Sequence, residues 1–136
     1  MPSLLYFKEL YVPSCIEGLE EILTIVKEVE DIFNFDFERK LSLQTVIVEA
    51  VENAIIHGNS YVRDLQVRFS IYITDLEIVI FVEDQGLGFE LDDVSSPISE
   101  MNIRKESGRG IFFIKCFSTN VYLLGKGNIV RINIDR

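Results

Sequence analysis

Between Asp36 and Glu83 the hydrophobic period of the chain changes once, from that of a helix to that of a strand. Asp36 can cap a helix, and Leu43, Val46, Ile47, Ala50 and Ala54 follow at helical spacing until Gly58-Asn59 stops the run just after His57. Leu65, Val67, Phe69, Ile71 and Ile73 then alternate with Gln66, Arg68, Ser70 and Tyr72, the pattern of a half-buried strand. After a turn at Thr74-Asp75 a second strand runs from Leu76 to about Glu83, and the two pair as an antiparallel hairpin with one face buried. An amphipathic helix followed by a one-sided hairpin calls for a sheet that rests one face on helices.

The flanking segments extend that plan. Leu4 to Val12 reads as a strand ended by Pro13. Ser14 and Glu17 are spaced as a capping box for a helix whose apolar stripe runs through Ile16, Leu19, Ile22, Leu23, Val26, Val29 and Phe33 to about Asn34. Periodicity disappears from Gln85 to Ser107, and a loop of that length in a small domain is functional or disordered. A helix from Ile111 to about Phe117, with Phe112, Phe113 and Phe117 expected in the core, leads into strands Asn120–Leu124 and Asn128–Ile134 joined by Gly125-Lys126-Gly127. The fold class is α+β, a two-layer sandwich of one mixed, mostly antiparallel sheet with helices on one face.

The 136 residues allow one core, so residues 1–136 form a single domain. An apolar share of 48% with 26% charged residues excludes wholesale disorder. Twenty-two acidic against thirteen basic residues leave a net charge of −9, which repels phosphate backbones and argues against direct nucleic-acid binding. No apolar run approaches the ~20 residues that cross a bilayer, and the N-terminus lacks the basic region of a signal peptide, so no membrane role and a cytoplasmic location are expected. Cys15 and Cys116 form no CxxC pair and read as two buried, reduced thiols.

Three constellations carry chemistry. Glu49, Asn53 and His57 recur every four residues, so a carboxylate, an amide and an imidazole form a polar strip beside the buried stripe, while Glu52 points away. That is a pocket wall, or else the polar flank of a partly exposed helix. Asp84-Gln85-Gly86-Leu87-Gly88 leaves a strand with glycine at alternate positions, which lets another group approach the backbone closely, or simply makes a turn. Ser107-Gly108-Arg109-Gly110 precedes a helix, where free N–H groups can hold an anion. Arg104, Lys105, Arg109 and Lys115 surround it and only Glu106 opposes them; the plainer reading is a glycine-containing helix start with solvated charges.

Taken in this order, the set resembles the nucleotide-binding fold shared by gyrase, Hsp90, histidine kinases and MutL (the Bergerat, or histidine kinase-like ATPase, fold). Glu49-xxx-Asn53-Ala54-xx-His57 matches its N-box, Asp84-x-Gly86-x-Gly88-Phe89 its first glycine box and Gly108-x-Gly110 its second. Within the superfamily the chain is most similar to the small RsbW-like anti-sigma serine/threonine kinases. The resemblance implies Mg-ATP held between the N-box helix and a lid at about 85–107. It implies Glu49 as catalytic base, Asn53 as the Mg²⁺ ligand, Asp84 as acceptor for the adenine amino group, and Gly86 and Gly88 turning the lid against the base. Gly108 and Gly110 would donate to the phosphates, Arg104, Lys105 and Arg109 would add charge, and His57 would have a binding or structural part. It also implies a homodimer that phosphorylates an anti-anti-sigma protein with a STAS domain and otherwise sequesters a sigma factor.

Two departures stand out. Phe117-Ser118-Thr119-Asn120-Val121 lacks the acidic pair common at that point in the family, and Glu106 replaces a frequent basic residue. They motivate an alternative, an ATP-binding anti-sigma or regulatory module without catalysis. A detached histidine-kinase domain is disfavoured because the chain's one histidine is His57. The charge is also unevenly spread. Residues 1–60 hold eleven acidic and four basic residues, whereas Ile103 to Cys116 holds four basic and one acidic, so the acidity sits away from the phosphate end. That leaves an acidic remainder for a basic protein partner.

Overall fold

The computed structural model describes residues 1–86 and 109–136. Its strands are β1 (Leu4–Pro13), β2 (Gln66–Thr74), β3 (Glu77–Glu83), β4 (Asn120–Leu124) and β5 (Ile129–Asp135), in the sheet order β1-β2-β3-β5-β4. All four described pairings are antiparallel, so no parallel pair accompanies them among the described residues. Ile71, Ile80, Ile132 and Val121 stand in register across β2, β3, β5 and β4, and all four are buried on the helical side. Phe69, Val82, Val130 and Leu123 form the next such row. The period-two alternation of the sequence is the direct cause of this one-sided burial. On the opposite face Tyr72 stacks on Phe81, and the Arg131 guanidinium lies over the rings of Phe81 and Tyr122.

The helical layer consists of α1 (Ile16–Ile32), α2 (Phe37–Asn53) and α3 (Arg109–Cys116). Leu19, Ile22, Val26 and Val29 of α1, Leu43, Val46, Ile47, Ala50 and Val51 of α2, and Ile114 of α3 meet the sheet's buried rows in one apolar cluster. The α2 cap is as expected, with the Asp36 carboxylate accepting from the Arg39 N–H at 2.8 Å. The α1 cap is not. Cys15 takes the capping position with no side-chain bond to the helix N–H groups, and Ser14 instead donates to the Leu65 carbonyl at 2.6 Å, tying the end of β1 to the start of β2. Two core assignments also fail: Phe117 and Cys116 are exposed, because α3 ends as the chain leaves the layer for β4. Both cysteines are free, with Cys15 half-buried.

The second helix departs most from its expected course. It is α-helical to Asn53 and then widens into a π-helical turn over Ala54–Gly58, in which the Asn59 N–H donates to the Ala54 carbonyl at 2.8 Å. A π-turn inserts one residue into the helical register and is frequent beside functional sites. Here it places both Ala54 and Ile55 in the core and turns Asn59 inward. The chain then reverses through Ser60 and Tyr61, both left-handed at φ 51° and 61°, a conformation side chains adopt only when surrounding bonds hold it.

Candidate functional site

The π-turn and the end of β3 face each other across a cleft of about 370 Å³, lined by His57, Gly58, Asn59, Asp84, Gln85 and Gly86 with Ser60, Val62, Leu65 and Gly127 at its sides. The approach is tight enough to exclude side chains at two points. A Cβ on Gly58 would collide with the Asp84 carboxylate, and one on Gly86 would collide with the Gly58 carbonyl oxygen. Glycine is therefore required at both positions by close approach.

Asp84 is the acidic group of this cleft, 8% exposed. Its Oδ1 accepts from the Gly86 N–H at 2.8 Å, and its Oδ2 lies beside Gly58. Burial pushes its carboxyl above the ordinary value of 3.8; the Glu83 charge adds to the rise and the Gly86 N–H opposes it. A carboxyl raised in the folded state retains a proton that the unfolded chain has released. Its ionisation therefore costs stability at neutral pH, and the cost fades as pH falls through the raised value and is gone below the unfolded one. Asp84→Asn keeps the acceptor for Gly86 and removes the charge. The variant is expected to melt higher than the parent at pH 7, with the gain vanishing by about pH 4. Thermal unfolding across that range checks it, and an Asp84→Asn protein no more stable than the parent at pH 7 would contradict the burial argument.

The sequence-selected residues divide into three groups. His57, Asp84 and Gly86 meet at the cleft, with His57 exposed on its rim. His57 lies in the π-turn, whereas Glu49 and Asn53 belong to the α-helical part of the strip. Glu49 and Asn53 lie half-buried on the two preceding turns and do not line this cleft. Arg109 and Gly110 open α3, which packs against α2. Gly88, Arg104, Lys105 and Gly108, and all of the lid beyond Gly86, lie outside the described residues.

Asn53 has one property that bears on a ligand. Its Nδ2 is buried and has no hydrogen-bond partner among the described residues. A buried amide left so is costly, and a flip about its last torsion brings the carbonyl oxygen to the same place. That oxygen is a donor type suited to a hard divalent cation. Asp84, on the wall of the cleft, is a carboxylate acceptor suited to an N–H of a bound group. Nucleotide and cation thus fit the residues present, while no cluster of three or more His, Cys, Asp or Glu side chains that could hold a metal by themselves exists among the described residues.

Sequence reasoning missed Asn59, Gln85 and Asn128. Asn59 is 1% exposed; its Nδ2 donates to Ser14 Oγ at 2.7 Å and to the Gln66 carbonyl at 3.0 Å, and its Oδ1 accepts from the Gln85 N–H at 2.8 Å. Asn128 Nδ2 donates to the Asp84 carbonyl at 3.0 Å. Asn59 adjoins the motif and could have been suspected, whereas Asn128 sits in a turn whose residues look like ordinary hairpin punctuation.

An antiparallel sheet backed by helices on one face, with a buried carboxylate at the end of β3 facing the π-turn, defines a two-layer α+β sandwich with a cleft at one end. The chain belongs to the histidine kinase-like ATPase domain family, which it matches over residues 12–134. It is 29% identical over 91 residues to the anti-sigma F factor of Shouchella clausii, an overlap of 65% of this chain and 62% of that protein. It is 30% identical over 89 residues to the anti-sigma F factors of Bacillus thuringiensis and Bacillus mycoides, covering 64% of this chain and 61% of each. The matched region thus spans about three fifths of the length of these relatives. No helix among the described residues is long and apolar enough to cross a membrane.

Proposed function

We propose that this chain is an anti-sigma factor that binds Mg-ATP and acts as a serine/threonine protein kinase on an anti-anti-sigma protein of the STAS class. The observation that carries the reading is the Gly58–Asp84–Gly86 cradle, set within an ATPase-family domain that is similar in sequence to anti-sigma F factors. When bound, Mg-ATP supplies the transferable phosphoryl group and the divalent charge that neutralises it.

The chain's own residues have separate tasks. Asp84 accepts from the amino group of the base and fixes its orientation. Asn53 presents its amide oxygen to the cation. Gly108 and Gly110 offer backbone N–H groups to the phosphates, with Arg104, Lys105 and Arg109 adding positive charge. Glu49 takes the proton from the attacking hydroxyl, the one acid–base task in a reaction otherwise driven by positioning. The protein works in the cytoplasm as a homodimer that sequesters a sigma factor; phosphorylation releases the antagonist and leaves the kinase free for that task.

Transfer of γ-phosphate from labelled Mg-ATP to a serine or threonine of an anti-anti-sigma protein of the STAS class is the test. Label on the STAS protein, absent when ATP is omitted, is expected. Stoichiometric sigma binding with ATP bound but no label transferred would overturn the kinase reading in favour of a regulatory module without catalysis, the outcome that Glu106 and the missing acidic pair after Phe117 would explain.

A further inference from the structure

We propose that Asn59 and Asn128 are positioning residues that fix Asp84 for recognition of a purine's exocyclic amino group; this rests on the nucleotide reading above. The three consecutive N–H groups that lead out of β3 each have a different kind of partner. Asp84 N–H donates to the Asn128 carbonyl at 2.9 Å, Gln85 N–H to Asn59 Oδ1 at 2.8 Å, and Gly86 N–H to Asp84 Oδ1 at 2.8 Å. The Asp84 carbonyl in turn accepts from Asn128 Nδ2. The peptide groups on both sides of the Asp84 Cα are therefore held by asparagines that lie 26 residues before Gln85 and 44 residues after Asp84.

Asn59 is itself anchored. Its amide group donates twice, to Ser14 Oγ and the Gln66 carbonyl, while Ser14 passes its own proton to Leu65. The Gln85 side chain accepts from the Gln66 N–H at 2.6 Å, so the same backbone residue is gripped from two sides. Only an amide can accept from Gln85 and donate to two oxygens at once; a carboxylate at position 59 would face the Gln66 carbonyl with no proton to give. The network joins the end of β1, the end of α2, the start of β2 and the end of β3, four segments whose relative placement sets where the Asp84 carboxylate points. A displacement of that carboxylate by about 1 Å is enough to lose an aligned hydrogen bond.

The test compares binding of ATP with that of ITP, which carries an oxygen in place of the 6-amino group, to the full chain and to Asn59→Ala and Asn128→Asp. The wild type is expected to prefer ATP by about tenfold or more, since a site built to accept from an N–H rejects the analogue lacking it. Both variants are expected to lose most of that preference through weaker ATP binding, with ITP affinity unchanged. A purely structural role would weaken both nucleotides alike and leave the ratio intact. Asn128→Asp keeps the shape of the side chain, so it reports if Asn59→Ala does not fold. Variants that fold and keep the wild-type ratio overturn this inference alone. A wild-type protein that binds both nucleotides equally, or neither, overturns the base-site reading and this inference with it.

Discussion

Glu49→Gln is expected to lower phosphoryl transfer to the STAS protein by about 10²- to 10⁴-fold, the usual contribution of a positioned base, while ATP affinity stays close to wild type. Glutamine preserves the size and hydrogen-bonding reach of the side chain but cannot take a proton. Glu49 is half-buried on α2 one turn before Asn53, on the same side of the helix. The loss should appear in the transfer rate at saturating ATP and acceptor, with far-UV circular dichroism and melting temperature unchanged. A Glu49→Gln protein that transfers phosphate at the wild-type rate would remove Glu49 from the mechanism.

Gly58→Ala is expected to weaken ATP binding by about 10- to 100-fold. The new methyl would collide with the Asp84 carboxylate, so either the π-turn or Asp84 must move. Overpacking of this kind costs the fold about 1–3 kcal/mol; relief by displacing Asp84 misplaces the acceptor for the base, and every 1.4 kcal/mol of binding energy so lost is about tenfold in affinity. The loss should be specific to the base site: Asp84 is shifted, while Asn53 lies a full turn of helix away on α2. Calorimetric titration with ATP measures the effect directly. A Gly58→Ala protein with wild-type affinity would show that the Gly58–Asp84 approach does not shape the site.

Much of the layered architecture was legible because one-sided burial imposes a period on the sequence. The alternation Leu65 to Ile73 and the stripe Leu43 to Ala54 each determine which side faces the core, and the structure buries Val67, Phe69, Ile71 and Ile73 together with Leu43, Val46, Ile47, Ala50 and Ala54. What escaped has physical causes of two kinds. The π-turn at Ala54–Gly58, which buries the adjacent Ala54 and Ile55 together, is a local change of pitch that a fixed period of 3.6 cannot register. The same holds for Ser14, whose spacing to Glu17 satisfies a capping box although the hydroxyl is drawn instead to Leu65 across the sheet.

The site was legible only in part. Asp84 and Gly86 were identifiable because close approach demands glycine and leaves a motif. Asn128 was not, since its bond to Asp84 spans 44 residues and depends on β5 lying beside β3. Gly88, Arg104, Lys105 and Gly108 lie beyond the described residues.

In the proposed function, the cleft between the π-turn and the end of β3 holds the base of ATP through Asp84. Titration calorimetry of Mg-ATP into the wild-type chain and into Asp84→Asn tests it most directly, because Asp84→Asn is expected to be the more stable protein at pH 7 and so cannot lose binding by unfolding. One ATP per chain is expected for the wild type and at least about tenfold weaker binding for Asp84→Asn, the loss of one charge-assisted hydrogen bond. Equal affinity in the two proteins, or no binding by the wild type, would contradict it.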